Sequence, residues 1–345
     1  MNEALSQSRF LQTCQRQLPA VKPIWLMRQA GRILKPYRDL KARTGSILEL
    51  FKDPALATEI TLMPVEILQV DAAILFADIL TPVEPMGCEI EFKPGPIFAQ
   101  PVRTLADIEN LRTIQTQEAI PFVLETIGLV RGALPPSVPL IGFAGAPFTL
   151  ATYMVEGGGA KTFTMFRRLL YSDPAAAHLL LEKLTEVVID YLRAQIGAGV
   201  QTVQIFDTWI GALSRPAFEQ TILPYLQRIF AALEDLQVPR IYYANDASHI
   251  LSLLPEIGAD IYSIDWRQDI AQTFKLFKGK KILQGNLDPC TLFGSPASII
   301  RETQELLKKT RGIPHIFNLG HGVLPDTPID NVKLLIDTVH EFGEV

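Results

Sequence analysis

Two arginines four residues apart close an apolar run in PIWLMRQAGRILKPY, residues 23–37. Arg28 and Arg32 keep their charge at any working pH, and each guanidinium is a planar fork of donors that can grip a carboxylate through two bonds. With Gln29, Ala30 and Gly31 between them, they suggest a site for an acidic ligand bearing more than one carboxylate. Gly31 would let the backbone approach such a ligand closely, or turn with positive φ. The alternative is a pair of ordinary surface ion pairs. Asp78, in AILFADIL at 73–80, is the counterpart of opposite sign: one carboxylate in an apolar neighbourhood. It could pair with a cation or cap the following helix; held in a pocket, it could stabilise a developing cation or accept several N–H donors from a ligand.

Other side chains stand where a ligand could meet them. Tyr153 lies in GFAGAPFTLATYMVEGGGAKTF, residues 142–163, and either packs in the core or reaches a ligand carboxylate. The glycines at 157–159 lack the Lys and Ser/Thr of a nucleotide P-loop and read as a mobile or tightly turned loop. His321 sits between two glycines in NLGHG, a loop position that favours ligand contact over a purely structural role. Asp207, Asp265 and Asp288 could each cap a following helix.

The elements that must position these residues alternate. Short apolar runs at 24–27, 72–76, 140–143, 202–206, 241–243, 261–264, 282–283 and 315–318 read as parallel strands covered on both faces. Helical periodicity follows them at 53–69, 118–131, 161–196, 215–236, 248–257, 267–277, 296–309 and 330–342. Eight such units predict a (β/α)8 TIM barrel, one domain over 1–345, with its site at the C-terminal strand ends; a doubly wound open sheet is the fallback. CEIEFKPGPIFAQPV, residues 88–102, reads as a hairpin inserted after the second strand, turning around Lys93, Pro94 and Gly95 and able to wall the pocket. The residues just past the strands are polar: Arg28 and Arg32, Asp78, Tyr153 beyond Gly145, Asp207 with Thr208, Asn245 with Asp246, Asp265, Asn286 with Asp288, and His321.

Composition narrows the function. A net charge of −5 argues against general nucleic-acid binding, so any anion must be held by locally placed arginines. No apolar window reaches the roughly 18 residues a membrane helix needs. The start, MNEALSQSRFLQTCQRQ, is no secretory signal and reads as a short amphipathic helix. Cys14, Cys88 and Cys290 are widely spaced, which fits a reducing, cytoplasmic setting. Metal motifs, GxSxG and GxGxxG are all missing from the sequence, so the chemistry is expected to run on side chains without a cofactor.

With these residues in hand, the chain resembles the uroporphyrinogen decarboxylase family along nearly its whole length. The resemblance rests on PIWLMRQAGR at 23–32, FAD at 76–78, GFAGAPFTLATYMVEGGG at 142–159, QIFDTW at 204–209, QGNLDP at 284–289 and NLGHG at 318–322, in that order. It implies a cofactor-free homodimer of barrels that removes carbon dioxide from the four acetates of uroporphyrinogen III, giving coproporphyrinogen III. It further implies that the segment from Arg28 to Arg32 binds substrate carboxylates, that Asp78 binds the pyrrole N–H groups, and that Tyr153, Thr208 and His321 make the remaining contacts. Arg28 becomes the candidate proton donor. Thr208 stands where some relatives carry serine, and Ala160 replaces a common serine. Lys35 stands where the family usually has proline, with Pro36 following, which leaves that loop's path open. Two rivals remain: a zinc-dependent corrinoid or coenzyme methyltransferase on the same barrel, and a non-catalytic tetrapyrrole carrier. The methyltransferase would want cysteines near Ala244–Asp246 and the GHG at 320–322, and this chain has none there.

Overall fold

The computed structural model describes residues 3–93 and 95–343. Among them the strands are β1 (Ala73–Ile74), β2 (Ile90–Phe92), β3 (Pro96–Phe98), β4 (Leu140–Gly145), β5 (Thr202–Asp207), β6 (Arg240–Ala244), β7 (Ile261–Ile264), β8 (Ile282–Leu287) and β9 (His315–Leu319). β1 and β4 to β9 form one curled parallel sheet in chain order, the arrangement of a TIM-type α/β barrel. Strands β4, β7, β8 and β9 are buried at every position, which is why they read as unbroken apolar runs rather than alternating ones.

The apolar run at 24–27, expected as the first strand, is not a regular strand. It makes one parallel bridge, Ile24 to Phe317 on β9, and Ile24 O accepts the Asp71 N–H just ahead of β1. The segment thus spans the gap between the last strand and the first. Side chains have taken the N–H groups that a ladder would use: Ile24 N donates to Asp71 Oδ2 at 2.8 Å, Leu26 N to Gln29 Oε1 at 3.0 Å, and Met27 N to Asn318 Oδ1 at 3.1 Å. Below this closure Trp25 is fully buried, and its indole N–H donates to Gln284 Oε1 at 3.0 Å.

Helices cover the outside of the sheet. Asp53 caps Pro54–Leu68 through Ala55 N and Leu56 N, and proline at the first turn forfeits no hydrogen bond. The helix expected over 161–196 is two, Thr164–Ser172 and Pro174–Ala198. Asp173 caps the second through Ala176 N, and Pro174 cannot continue the first. Pro174–Ala198 buries Leu180, Leu181, Leu184, Val188 and Leu192 against the core, each stabilising by about 1.5–3 kcal/mol. The stretch Ser248–Ile257 is helical as expected but wound as a 3-10 helix.

The inserted hairpin is present, with β2 and β3 antiparallel and Ile90 opposite Phe98. Pro94, at its expected turn, lies outside the described residues. The glycine triplet turns tightly and holds the hairpin. Gly157 (φ 86°) ends the helix Pro147–Glu156, its carbonyl accepts the Phe98 N–H at 3.0 Å, and Gly158 bridges Ile97. The start of the chain forms two short helices, Glu3–Ser6 and Arg9–Cys14; the expected lead-in helix overlaps them, and its first two residues lie outside the described ones.

Candidate active site

The positive side of the barrel mouth is built by the turn that leaves the closing segment. Gln29 fixes it: besides holding Leu26 N, its amide donates to Ala72 O at 3.1 Å. Gln29, expected at the ligand, is fully buried, and its side-chain amide is bonded to Leu26 N and Ala72 O. Positive φ falls on Arg28 (φ 61°) rather than on Gly31. That conformation directs the exposed Arg28 stem across Gly322, where a Cβ would lie 2.4 Å from Arg28 Cδ. Val323 N donates to Met27 O at 2.9 Å and locks the last loop to the first.

Arg32 is exposed as well, and Ala30 and Gly31 between the arginines are half-buried. Among the described residues neither guanidinium has a carboxylate in ion-pair range or a hydrogen-bond acceptor, so the surface ion pairs that sequence left open are not formed. Beyond Arg32, the helix Lys35–Arg43 carries Pro36 in its first turn, which settles the path of that loop. Arg32 lines a groove of about 650 Å³ with Tyr37, Arg38, Lys41 and Pro325.

The negative side follows β1. Asp78 is half-buried, its Oδ1 accepts the Leu80 N–H at 2.8 Å, and its Oδ2 has no partner among the described residues. Burial raises its pKa, against the Leu80 N–H and the charge of Arg28, which both favour the ionised form. Asp78 also borders a water-sized crevice of about 20 Å³ lined by Phe51, Phe122 and, from the hairpin, Ile90 and Phe92. The inserted hairpin thus borders Asp78 through this crevice, which neither Arg28 nor Arg32 lines.

Of the three further expected residues, Tyr153 and His321 both lie within the field of Arg28. Tyr153, on the helix Pro147–Glu156, has its hydroxyl pKa raised by burial, with Asp78 adding to the rise and Trp209 and Arg28 opposing it. Thr208, past β5, uses its carbonyl to accept from Asn245, and its hydroxyl has no partner among the described residues. His321 Nδ1 accepts the Gly322 N–H at 2.7 Å, so the neutral ring carries its proton on Nε2. Burial lowers its pKa to about 4, helped by the charges of Arg28 and Arg267, and the ring stands perpendicular to Tyr243 with centroids 6.2 Å apart. Arg28 is the common element, since its field acts on Asp78, Tyr153 and His321 alike.

Sequence reasoning passed over the aromatic floor beneath these groups. Phe143, Phe206 and Tyr243 follow one another edge to face at 5.6 and 5.7 Å, and Phe206 and Tyr243 are register partners on β5 and β6. The signal was an aromatic at the same place in β5 and β6; Phe143, in register with Gln204, offered none. Of the three candidate caps, Asp288 does cap the short helix Pro289–Phe293 through Cys290 N. Asp265 instead joins two loops, accepting from Asp246 N and Arg267 N. Asp207 caps nothing; it is fully buried between Thr149 and Tyr242.

Among the described residues no three of His, Cys, Asp and Glu gather as a metal site, and no helix is long and apolar enough to cross a membrane. A second large cavity, about 710 Å³, lies at the opposite end of the barrel beside Arg16, Arg240 and Lys281, away from the strand ends that carry the site.

A parallel barrel with polar groups converging past its strand ends belongs to the class that builds enzyme sites there. Solved structures agree on the fold. A methyltransferase from Methanosarcina mazei superposes with a TM-score of 0.82 at 23% identity, covering 97% of this chain and 98% of that one. A B12-independent methionine synthase from Shewanella sp. W3-18-1 gives 0.57 at 12% identity, covering 85% and 89%. The chain belongs to the uroporphyrinogen decarboxylase family, whose model it matches over residues 5–342. Relatives named uroporphyrinogen decarboxylase include those of Geobacter sp. (strain M21), 46% identical across 97% of this chain and 99% of that one, and of Carboxydothermus hydrogenoformans, 44% identical across 97% of each.

Proposed function

We propose that the protein removes carbon dioxide from the four acetate side chains of uroporphyrinogen III, yielding coproporphyrinogen III for tetrapyrrole biosynthesis. The observation that carries this reading is an Arg28 guanidinium without an acceptor among the described residues, close enough to Asp78, whose Oδ2 is free, for its charge to favour the ionised carboxylate. A porphyrinogen has inward N–H donors and outward carboxylates, so it calls for a central acceptor and a basic rim. Asp78 Oδ2 would take the pyrrole N–H groups. Arg28 and Arg32, with the backbone at Ala30 and Gly31, would take carboxylates, and Tyr153, Thr208 and the His321 Nε2–H would supply further donors.

Protonating a pyrrole carbon next to the acetate-bearing position makes a cationic ring. The bond to the carboxylate then breaks and its electron pair flows into that ring, releasing carbon dioxide and leaving an exocyclic enamine-like carbon. A second proton converts this carbon to methyl and the ring gives up the first, so one proton replaces each carbon dioxide. The ring is its own electron sink and no bound cofactor is called for. Ionised Asp78 stabilises the cation in surroundings where low polarity magnifies the attraction. Arg28 is the proposed route of the first proton; as a guanidinium is a very weak acid, a water or a substrate carboxylate would relay it.

The same reading takes the chain as one barrel domain over residues 1–345, acting in the cytoplasm as a homodimer without nucleic-acid partners. Sedimentation at twice the chain's 38.4 kDa is the expected result for the dimer, and a monomer at micromolar concentration would refute it. The activity is tested by anaerobic incubation with uroporphyrinogen III in the presence of a chelator, followed by chromatography. Coproporphyrinogen and carbon dioxide are expected; binding without release of carbon dioxide would identify a carrier, and turnover that requires added zinc would favour the methyltransferase-like alternative.

A further inference from the structure

The buried carboxylate Asp207 has no part in the chemistry proposed above, yet it joins two elements that bring side chains to the mouth. Its Oδ1 accepts from the Thr149 hydroxyl at 2.6 Å and its Oδ2 from the Tyr242 hydroxyl at 2.8 Å, with no cation beside it among the described residues. Thr149 Oγ1 is used twice, because it also accepts the Trp209 backbone N–H at 3.3 Å. Thr149 and Tyr153 lie four residues apart on the helix Pro147–Glu156 and so share one of its faces. Asp207 ends β5, in register with Ala244 on β6, and Thr208 follows it. One carboxylate therefore fixes the helix that carries Tyr153 to the end of β5, just ahead of Thr208 and Trp209. Burying it is costly, and packing alone would be served by an uncharged residue of similar size.

What the tie positions is visible at Trp209. Its ring is held between Tyr153, centroids 5.9 Å apart and edge-on, and Phe163 at 4.6 Å. Its indole Nε1–H is buried without a well-formed hydrogen bond, but it lies close enough to the Tyr153 hydroxyl to oppose the rise in that group's pKa. An N–H approaching the phenol oxygen makes that oxygen the acceptor and leaves its own proton to point elsewhere.

We infer that Asp207 is a positioning residue: through Thr149 it sets the helix Pro147–Glu156 against the end of β5, so that Trp209 covers the Tyr153 oxygen and the Tyr153 proton is presented to a carboxylate of the ligand. The inference rests on Tyr153 contacting substrate as proposed. It makes Tyr153 a donor whose direction is set in advance by two residues that never touch the ligand.

The test uses the full chain labelled with 5-fluorotryptophan, read by fluorine NMR without substrate and by kinetics with it. The chain's tryptophans are Trp25, Trp209 and Trp266, and Trp209→Phe assigns the resonance of interest. Thr149→Val and Asp207→Ala should each move the Trp209 resonance while those of Trp25 and Trp266 stay in place. The rise in KM caused by Tyr153→Phe, about tenfold in the wild type, should shrink below about twofold in either background, because the donor is already misdirected. Asp207→Asn should restore both readouts, since its amide can accept from Thr149 and donate to the Tyr242 oxygen. A Trp209 resonance unmoved by Thr149→Val, or effects of Tyr153→Phe and Asp207→Ala that simply multiply, would overturn the inference. Should Asp207→Ala fail to fold, Thr149→Val decides alone, as it leaves the carboxylate and Tyr242 in place. Failure of the wild type to release carbon dioxide would sink the proposed activity, while the fluorine spectra would still decide the positioning.

Discussion

At the scale of single residues, charge and exposure separate the two arginines from the histidine. Arg32 stands free at the rim, beside the groove shared with Tyr37 and Lys41, where it would bind a carboxylate equally in the ground and transition states. Arg32→Ala is accordingly expected to raise KM about tenfold with kcat nearly unchanged, and steady-state kinetics showing a selective fall in kcat would contradict that role. His321 differs, because burial and the charges of Arg28 and Arg267 hold its pKa near 4, so at neutral pH it is a neutral Nε2–H donor. A plot of kcat/KM against pH should show no limb near 6.5 that is lost in His321→Asn. The same shift has a stability consequence. The folded pKa lies below the unfolded value of 6.5, so the contribution is complete above about 6.5 and is lost as pH falls towards 4. Denaturant midpoints in that window should fall less in His321→Asn than in the wild type.

At the scale of elements, the first and last loops act as one unit, and Gly322 is where they touch. Gly322→Ala would place a methyl on Arg28 Cδ and Cγ, the yielding part of a flexible side chain, so it should leave thermal stability within about 2 °C while lowering kcat/KM at least ~10-fold by displacing that guanidinium. Equal losses of stability and activity would show that the contact only maintains the fold. A second prediction concerns Asp207, whose pKa burial pushes up to about 6 from an unfolded 3.8, so its contribution to stability is greatest below 3.8 and is lost as pH rises through 6. Asp207→Asn should therefore gain stability relative to wild type between about pH 4 and 6, and hold that gain above. The parallel strands were legible in sequence because burial on both faces writes continuous apolar runs, and β7 falls on the residues expected. The closing segment misled because Asp71, Gln29 and Asn318, remote or turned back in sequence, occupy its N–H groups. The turn at Arg28 misled for a related reason: glycine is the usual left-handed residue, but the strain falls on the arginine. The bonds of Asp207 to Thr149 and Tyr242 span 58 and 35 residues, a distance over which no local pattern operates.

At the scale of the whole molecule, a chain of net charge −5 carries Arg28 and Arg32, with no ion-pair partner among the described residues, at the end of its barrel where the strands finish. A polycarboxylate would be drawn to that end over roughly the 10 Å Debye length of 0.1 M salt, so kcat/KM should fall as ionic strength rises while kcat holds. Family membership supports a tetrapyrrole decarboxylase, and the central claim about its chemistry is that one carboxylate does the electrostatic work. The direct measurement is anaerobic turnover of uroporphyrinogen III by wild type and Asp78→Asn, alongside binding of substrate to both. A fall in kcat of at least ~100-fold with binding and fold retained is the predicted result. Turnover by Asp78→Asn within a few-fold of wild type would contradict the role of Asp78.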